Sequence, residues 1–254
     1  MNAPERESQT DHQCSVGTAP TPALRKISII VPTLNEAQLI RAFLLQLRER
    51  APGAEIVVVD GGSDDGTPEI AIQLCDLLVR AKANRAIQMN AGARYATGDV
   101  FWFLHADVSI PSQSLGEIDR SLDGSRVVGG FFRIALPRPE LVYRVTDSLA
   151  HYLGLLLRMR CGDHGMFCRR EAFEELGGYP VVPLMEDVEF FRAALRLGQM
   201  RVIPLRIGVS PRRYEAIGPL RLSLSYGLIG FLYLLGAPIQ RLALLYDRLC
   251  CRSK

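Results

Sequence analysis

The chain has 254 residues, and its 48% hydrophobic and 22% charged content is ordinary for a globular protein with one substantial domain. The net charge is only +3, and we expect no nucleic-acid partner. The positive charge is concentrated at one end, because residues 201–254 carry nine Arg or Lys and two acids. A basic and apolar C-terminal fifth suggests an anionic surface or lipid headgroups as a neighbour, and a solvated basic face is the alternative.

The cysteines argue against two common kinds of framework. Six cysteines are few for a disulfide scaffold of this length, and they form neither a CxxC pair nor, with the four histidines, a zinc pattern. We therefore expect a reducing, cytoplasmic location, with peripheral contact at the inner face of the cell membrane as its extension. Residues 1–24 are polar, with scattered prolines and acids, which is typical of a disordered tail and not of a signal peptide.

Short apolar runs alternate with helical patterns up to about residue 110. Runs that stop at turn residues predict buried strands, and apolar residues at helical spacing predict the helices between them. The resulting βαβαβαβ order implies a parallel sheet with right-handed crossovers. The predicted strands are Lys26–Val31, Glu55–Asp60, Leu77–Arg80 and Val100–Val108, and the predicted helices are Ala37–Arg50, Glu69–Cys75 and Ala86–Ala96.

Two residues are predicted to cap helices in this half of the chain. Asn35 precedes the first helix, and Thr67 precedes a proline that suits the first helical position. Beyond Pro111 the pattern predicts a helix, a strand, three more helices and a final strand. These are Leu115–Leu122, Val127–Leu136, Leu141–Leu157, Glu171–Leu176, Met185–Leu197 and a strand that ends at Gly208-Val209.

Leu222 to Gln240 is a run of 19 residues without a formal charge, which meets the length rule for a membrane span. Serine, glycine and proline within the run, and arginines on both sides of it, argue against a span. We favour helices that lie in the plane of a membrane surface. A soluble packing surface or a homodimer surface is the third alternative.

Acidic residues follow three of the predicted buried strands. Glu36, Asp60 and Asp107 each come after such a strand. The carboxyl ends of parallel strands share one edge of the sheet, where open α/β sheets bind ligands. A single acid there is more often a turn former, but three at one edge of the sheet indicate a site. The neighbouring Asp64-Asp65-Gly66 is interpreted as a turn and a helix start.

Several short motifs stand at this edge and beyond it. They are Pro32-Thr33-Leu34-Asn35-Glu36, VDGGSDDGT from Val59, RAIQMNAGA from Arg85, His105-Ala106-Asp107, Gly162-Asp163-His164-Gly165 and Glu186-Asp187. Between about Lys26 and Tyr214 the chain resembles the family 2 glycosyltransferases with the GT-A fold, in particular their short prokaryotic subgroup. The resemblance implies an α/β, Rossmann-like, mostly parallel sheet flanked by helices at residues 25–215. An apolar and basic helical extension would follow at residues 216–254.

The resemblance implies an enzyme that takes a sugar from a nucleotide diphosphate sugar and inverts its anomeric carbon. The acceptor would offer a hydroxyl or a carboxyl group, and the apolar C-terminal region favours a lipid-like molecule. The leaving diphosphate needs its charge neutralised, which a divalent cation does well. Asp107 matches the family's metal-binding aspartate, and His105 stands where that motif begins with an acid. We therefore expect Mg²⁺ or Mn²⁺ at Asp107, with His105 beside it.

The resemblance assigns the other motif residues to the two sides of the reaction. Asp187 matches the family's catalytic base, with Glu186 next to it at a helix start. Asp163 and His164 are expected on the acceptor side. The residues expected to bind the nucleotide sugar are Pro32, Thr33, Glu36, Asp60, Arg85, Asp107, Arg212 and Arg213.

Two other functions compete with sugar transfer. A sugar nucleotidyltransferase has a related sheet, but it usually has a glycine-rich loop after its first strand, where this chain has Pro32 to Glu36 without a glycine. A catalytically inactive nucleotide-sugar-binding or membrane-docking protein is the second alternative, because His105 stands in place of an acid. The sequence selects neither the donor sugar nor the acceptor.

Overall fold

The predicted parallel strands pair in the predicted direction. The structure is a computed structural model that describes residues 24–135, 152, 154 and 156–250. Strands β1 (Ile27–Thr33), β2 (Glu55–Asp60), β3 (Leu77–Arg80) and β4 (Val100–Phe103) lie in the order β3-β2-β1-β4, and each neighbouring pair is parallel. Almost every side chain of β1, β2 and β4 is buried, as expected of strands that are covered by helices on both faces.

The second half of the chain extends this sheet with strands of both directions. Its strands are β5 (Val108–Ser109), β6 (Val127–Ala135), β7 (Phe167–Arg169) and β8 (Gln199–Val209). β7 is antiparallel to both β4 and β6, β8 is parallel to β6, and the short β5 is antiparallel to β8 at the edge. Six of the eight strands in the described residues therefore run the same way, which confirms the mostly parallel α/β sheet.

Helices cover both faces of the sheet. In chain order the described helices are α1 (Ala37–Arg50), α2 (Thr67–Ala71), α3 (Arg85–Tyr95), α4 (Ser114–Ser121), α5 (Arg170–Glu175), α6 (Glu186–Leu197), α7 (Arg212–Ile217), α8 (Pro219–Leu234) and α9 (Ile239–Cys250). α1, α2 and α4 pack on one face, where Phe43 and Leu47 belong to the main core. α3, α5 and α6 pack on the other face, where Met89, Phe173 and Phe190 belong to a second core. The described residues thus form three layers.

The C-terminal apolar segment folds as two helices. The chain turns after Leu234 and α9 begins at Ile239, so the charge-free run Leu222–Gln240 is divided between α8 and α9. The fold therefore has the predicted helical C-terminal segment, but in the form of a helical hairpin. In the part of the chain that the structure describes, no helix has both the length and the apolar character needed to cross a membrane.

The hairpin of α8 and α9 has a core that reaches the start of α6. Leu222 of α8 and Leu242 of α9 are both 2% exposed or less, and they belong to one cluster with Leu184 and Val188. Val188 lies in the first turn of α6, and Leu184 lies in the loop before it. The packing of the C-terminal helices therefore supports the segment that contains Glu186 and Asp187.

The predicted strand Val100–Val108 is two strands in the structure. β4 ends at Phe103, the chain turns at Ala106 and Asp107, and β5 begins at Val108. The cause is a change of partner, because β4 pairs with β1 and β7 whereas β5 pairs with β8. Asp107 therefore lies in a turn between two strands and not at the last residue of one.

The two predicted helix caps are wrong in detail. Asn35 has a φ of +54° and lies outside α1, and the N–H of Ala37 donates to Asp65 Oδ2 at 2.9 Å. Thr67 is the first residue of α2, and its Oγ1 accepts the N–H of Glu36 at 2.8 Å. The loop before α2 thus caps α1, which ties the carboxyl ends of β1 and β2 together. A contact between distant loops of this kind leaves no local pattern in the sequence.

The other predicted boundaries agree with the structure to within a few residues. The exception is α2, which ends at Ala71, after which the chain continues as a turn to Cys75. The predicted helix Leu141–Leu157 and the predicted tail at residues 1–24 fall almost wholly outside the described residues.

Gly92 of α3 marks a close approach of a helix to the sheet. A Cβ at this position would lie 2.6 Å from Ile30 Cγ2 and 2.8 Å from Val59 Cγ2, and both of these side chains are fully buried. We predict that Gly92→Ala lowers the free energy of unfolding by about 1–3 kcal/mol, because the overpacked helix must move away from the sheet. Denaturant unfolding followed by circular dichroism measures the change.

Gly116→Ala is the matched control for this prediction. Gly116 also lies in a helix, α4, but a Cβ there would meet only Arg120 Nη2, at 3.9 Å. Alanine should therefore raise stability by up to about 1 kcal/mol through its higher helix propensity. A Gly92→Ala variant as stable as the wild type would contradict the close packing of α3 on β1 and β2.

Candidate active site

A buried glutamine holds the carboxyl ends of β1 and β2 together. Gln88 Nε2 donates to the carbonyl oxygens of Thr33, at 2.8 Å, and Val59, at 2.9 Å. The side chains of Pro32 and Thr33 are buried at this point. These two predicted nucleotide-binding residues therefore shape the edge of the sheet mainly through their backbone.

Asp60 organises the loop that follows β2. Its carboxylate accepts the N–H groups of Gly62, at 3.0 Å, and Ser63, at 3.1 Å, and it also accepts the hydroxyl of Ser63. The residue is only 1% exposed. The predicted contact of Asp60 with a nucleoside would therefore involve a carboxylate that already holds this loop in shape.

Arg212 joins two carboxylates at the same edge of the sheet. Its Nη2 lies 3.4 Å from Glu36 Oε2 and 3.6 Å from Asp107 Oδ2. Burial raises the pKa of Glu36, the charge of Arg212 lowers it, and the charge of Asp107 raises it further. The structure thus brings together three of the predicted donor-site residues, although Arg212 and Glu36 are 176 positions apart in the chain.

Asp107 and His105, the two predicted metal ligands, lie in the segment between β4 and β5. Burial lowers the pKa of His105, against the effect of Asp163, whose Oδ1 lies 3.9 Å from His105 Nε2. Among the described residues, no three His, Cys, Asp or Glu side chains are grouped so that they could hold a metal ion alone. One carboxylate and one imidazole fit a Mg²⁺ or Mn²⁺ ion that is bound jointly with phosphate oxygens and water.

Glu186 and Asp187 lie at the buried start of α6. Met185, directly before them, has a left-handed φ of +67°, a strained conformation that is found preferentially at functional sites. Arg85 Nε lies 2.9 Å from Glu186 Oε1, and the side chain of Glu186 is 4% exposed. The resemblance places Arg85 at the base side of a nucleoside pocket, whereas in this structure it compensates the charge of Glu186.

Asp187 has one oxygen that is fixed and one that is unused. Its Oδ2 accepts the N–H of Gly162 at 2.8 Å, whereas its Oδ1 is buried and has no hydrogen-bond partner among the described residues. Burial raises the pKa of Asp187 to about 7, Glu186 adds to the shift, and Arg85 and the Gly162 N–H oppose it. Such a carboxyl group changes its charge near neutral pH, so it can take up and release a proton.

The two residues predicted on the acceptor side, Asp163 and His164, follow Gly162 directly but face different surroundings. A Cβ at Gly162 would overlap His105 Nε2 and Asp187 Oδ2, so only glycine allows this contact. The side chain of Asp163 is 51% exposed and lies beside His105. His164 instead faces the core, where its Nδ1 lies 3.0 Å from the Phe132 carbonyl oxygen. The structure therefore brings Asp163, but not His164, to the site.

Three side chains at the site have no assignment from the sequence. Tyr246 Oη accepts a hydrogen bond from Arg213 Nη1 at 2.7 Å, and Tyr226 is a second neighbour that affects the pKa of Arg213. Neither tyrosine carries a sequence signal, because both lie in apolar helices at positions that are typical of packing. Gln88 does carry one, because it lies within the RAIQMNAGA motif. That motif therefore serves partly to join the strand ends.

A sequence model of the family described as Glycosyl transferase family 2 matches residues 28–177 of the chain. This is more than half of the chain. The matched part contains the edge at β1 and β2, the turn with Asp107 and the loop with Gly162, so it includes most of the site.

Named relatives also match the chain. It is 27% identical to Glycosyltransferase AglE of Haloferax volcanii in an alignment of 175 residues that covers 63% of this chain and 58% of that protein. It is 32% identical to the PGL/p-HBAD biosynthesis glycosyltransferase of Mycobacterium bovis in an alignment of 164 residues that covers 60% of this chain and 62% of that protein. The matched regions thus span about six tenths of the length of these relatives.

A solved structure with a similar fold is that of the mannosyltransferase PcManGT from Pyrobaculum calidifontis, in complex with GDP-Man and Mn²⁺. The TM-score is 0.62 and the sequence identity is 24%, and the match covers 91% of this chain and 72% of that one. The likeness, together with the strand order and the helices on both faces, confirms that the fold is GT-A.

Asp187→Asn is predicted to stabilise the protein above neutral pH. An ionised carboxylate costs free energy at this buried position, whereas an amide is neutral and its Oδ1 can still accept the Gly162 N–H. Because the folded-state pKa of about 7 is raised above that of an exposed aspartate, wild-type stability falls as the pH rises from about 4 through 7. The unfolding midpoint of the variant should exceed that of the wild type by about 3–8 °C at pH 8, with a smaller gap at pH 5.

Asp64→Asn, at an exposed carboxylate beside the same edge of the sheet, is the matched control. Its unfolding midpoint should differ from that of the wild type by the same small amount at pH 5 and pH 8. An Asp187→Asn variant that is less stable than the wild type at pH 8 would show that the carboxylate is stabilised by its surroundings, against this prediction.

Proposed function

The chain belongs to glycosyl transferase family 2, and from this membership we propose that it is an inverting, metal-dependent glycosyltransferase. It moves a sugar from a nucleotide diphosphate sugar to the hydroxyl or carboxyl group of an acceptor. The observation that carries the proposal is the carboxylate of Asp187, because it combines a fixed oxygen, an unused oxygen and a pKa of about 7. These are the properties that a general base for an acceptor needs.

The region around Arg212 and Asp107 suits the diphosphate of the donor. Arg212 bridges two carboxylates there, and phosphate oxygens would replace them as its partners, since a guanidinium binds phosphate with charge-assisted hydrogen bonds. A divalent cation at Asp107 and His105 would neutralise the charge that develops on the leaving diphosphate. The Mn²⁺ and GDP-Man in the PcManGT structure support a donor and a cation of these classes.

Asp187 Oδ1 takes the proton of an acceptor hydroxyl in the transfer step that we propose. The acceptor oxygen then forms a bond to the anomeric carbon, while the bond from that carbon to the diphosphate oxygen breaks on the opposite face. The diphosphate leaves with the electron pair, and a single displacement of this kind inverts the anomeric carbon. The Gly162 N–H holds the carboxylate in orientation, and Arg85 balances the charge of the neighbouring Glu186.

The alternatives explain fewer of these contacts. A nucleotidyltransferase would use a glycine-rich phosphate loop after β1, but here the corresponding loop is held by Asp65 and Thr67 through hydrogen bonds to Ala37 and Glu36. An inactive binding protein would gain nothing from a buried carboxylate with an unused oxygen at the start of α6. We therefore retain transfer as the proposed activity.

The exposed face of α8 supports a lipid-like acceptor and peripheral contact with a membrane. It presents a row of large apolar side chains, which are Leu220, Leu224, Leu228, Phe231, Leu234 and Leu235. Arg221 lies beside this row, and the exposed residues of α9 include Arg241, Asp247 and Arg248. An apolar helix face with arginines next to it complements an anionic bilayer, in which such a helix lies in the plane of the interface. We therefore propose an anionic membrane surface as the occupant of this face.

Titration of the protein with UDP, GDP and dTDP, each with and without Mn²⁺, tests the donor site. At least one of these nucleotides should bind, and Mn²⁺ should tighten its binding by about tenfold or more, because a cation held by Asp107 and His105 would neutralise the charge of the phosphates. Asp107→Asn should remove most of the effect of Mn²⁺. Absence of Mn²⁺-dependent binding for all three nucleotides would overturn the metal-dependent donor site.

Asp187→Asn separates binding from transfer in the same experiment. The variant should bind the nucleotide as the wild type does, but the release of nucleoside diphosphate from the sugar donor, with a lipid extract as acceptor, should fall by about 10²–10⁴-fold. The wild-type rate should rise as the pH increases through about 7, since only the ionised carboxylate accepts a proton. Asp64→Asn is the control, and unchanged turnover of Asp187→Asn would exclude Asp187 as the base.

Vesicle co-sedimentation tests the membrane surface. Wild-type protein should bind phosphatidylglycerol vesicles at least about tenfold more tightly than phosphatidylcholine vesicles, because the arginines are attracted to the anionic lipid. The double variant Leu224→Glu, Leu228→Glu should lose this binding. Leu45→Glu, at an exposed leucine of α1, should keep it. If the wild type instead forms dimers that the double variant disrupts, and vesicles do not bind, then α8 is a dimer surface and the membrane proposal is wrong.

A further inference from the structure

Arg213 is held by the two C-terminal helices. Its Nη1 donates to Tyr246 Oη at 2.7 Å, and its guanidinium also interacts with the hydroxyl of Tyr226, whose pKa is raised by burial and lowered by the nearby arginine. Tyr226 lies in α8 and Tyr246 in α9, and their rings are nearly parallel, with 8° between the planes. Two hydroxyl groups, one from each helix of the hairpin, therefore restrict a single arginine side chain that is otherwise exposed.

The restricted guanidinium lies within the electrostatic field of the site. The charge of Arg213 lowers the pKa of Glu36, and the charge of Asp163 raises the pKa of Arg213. Arg212, the preceding residue, contacts both Glu36 and Asp107. Arg213 is therefore near enough to both Glu36 and the half-exposed Asp163 for their charges to interact.

The hairpin that carries the tyrosines is anchored next to the predicted base. Its core includes Leu184 and Val188, on either side of Glu186-Asp187. A third tyrosine of the hairpin, Tyr233, accepts a hydrogen bond from Arg192 Nη1 at 3.0 Å and donates one to Glu189, both on α6. The positions of Tyr226 and Tyr246 are thus set relative to the site by packing that does not involve Arg213.

We propose that Tyr226 and Tyr246 are positioning residues that hold Arg213 ready to contact the diphosphate of the donor. The inference rests on the proposed function, because it takes the diphosphate as the partner of Arg213. An arginine side chain loses rotamer freedom when it binds a phosphate, and two hydroxyls that restrict it beforehand reduce this cost. The C-terminal helices are then part of the donor site, in addition to any contact that they make with a membrane.

Removal of the two hydroxyl groups, with both rings retained, tests this inference. Tyr246→Phe and Tyr226→Phe should each weaken the binding of the nucleoside diphosphate that the wild type binds with Mn²⁺ by about three- to tenfold, as expected for lost hydrogen bonds to a charged group. Arg213→Gln should weaken it at least as much. Adding Tyr246→Phe to Arg213→Gln should have no further effect, because the tyrosine acts only through the arginine.

Tyr233→Phe is the matched control. It removes a hydroxyl group from α8, the helix that also carries Tyr226, and this hydroxyl bonds Arg192 and Glu189. It should lower the unfolding midpoint and leave nucleotide affinity within about twofold of the wild type, because it does not contact Arg213. Equal losses of affinity in Tyr233→Phe and Tyr246→Phe would mean that the tyrosines act through the general stability of the hairpin, and this would overturn the inference.

Two further outcomes separate the inference from the proposed function. A wild type that binds none of the nucleotides contradicts the proposed function itself. The positioning role alone is contradicted if Tyr246→Phe, Tyr226→Phe and the variant with both tyrosine substitutions bind the nucleotide normally while Arg213→Gln binds it more weakly. If either variant is unfolded by circular dichroism, the other one and the cycle with Arg213→Gln still decide the question.

Discussion

The two adjacent acids at the start of α6 set the main constraint on this site. Buried carboxylates are costly unless cations or hydrogen-bond donors compensate them. Arg85 compensates Glu186, and the Gly162 N–H holds one oxygen of Asp187, but the second oxygen has no hydrogen-bond partner among the described residues. The raised pKa of Asp187 follows from this incomplete compensation. The strained backbone at Met185 and the absence of a side chain at Gly162 are the local conditions that allow this arrangement of Asp187.

At the predicted donor edge, the carboxyl ends of the parallel strands, charge is balanced by one arginine that two carboxylates share. Glu36 and Asp107 share Arg212, so the protein without a donor neutralises part of its own acidic charge with the arginine that phosphates would bind. Donor binding would then exchange partners, with Arg212 passing from the carboxylates to phosphate oxygens and Asp107 passing from Arg212 to a cation. Because Arg212 and Asp107 would each have a partner before and after the exchange, little additional charge would have to be desolvated at these two groups. This exchange of charge partners explains why the nucleotide and the cation are expected to bind together.

The parallel half of the fold could be predicted because its information is local. Each strand is a continuous apolar run, each helix has its own period, and the direction of the crossovers follows from chirality. The division of Val100–Val108 into β4 and β5 could not be predicted, since it depends on pairing with β8, a hundred residues further on. The capping of α1 by Asp65 was missed for the same reason. Motifs single out Asp107, Asp187 and the loop at Gly162 as candidates, whereas the inward orientation of His164 depends on the position of β6.

The C-terminal helices illustrate how composition can conceal a role in a site. Their apolar sequence predicts a separate extension, and the exposed row on α8 agrees with a surface function. Their buried side, however, forms one core with Leu184 and Val188, so displacement of the hairpin would also disturb the support of Asp187. The hydroxyls of Tyr226 and Tyr246 add a second link, through Arg213, to the donor side. If the proposed contact with a membrane surface moves α8, a hairpin with both links would also move the groups around Arg213 and would thereby couple that contact to the arrangement of the site.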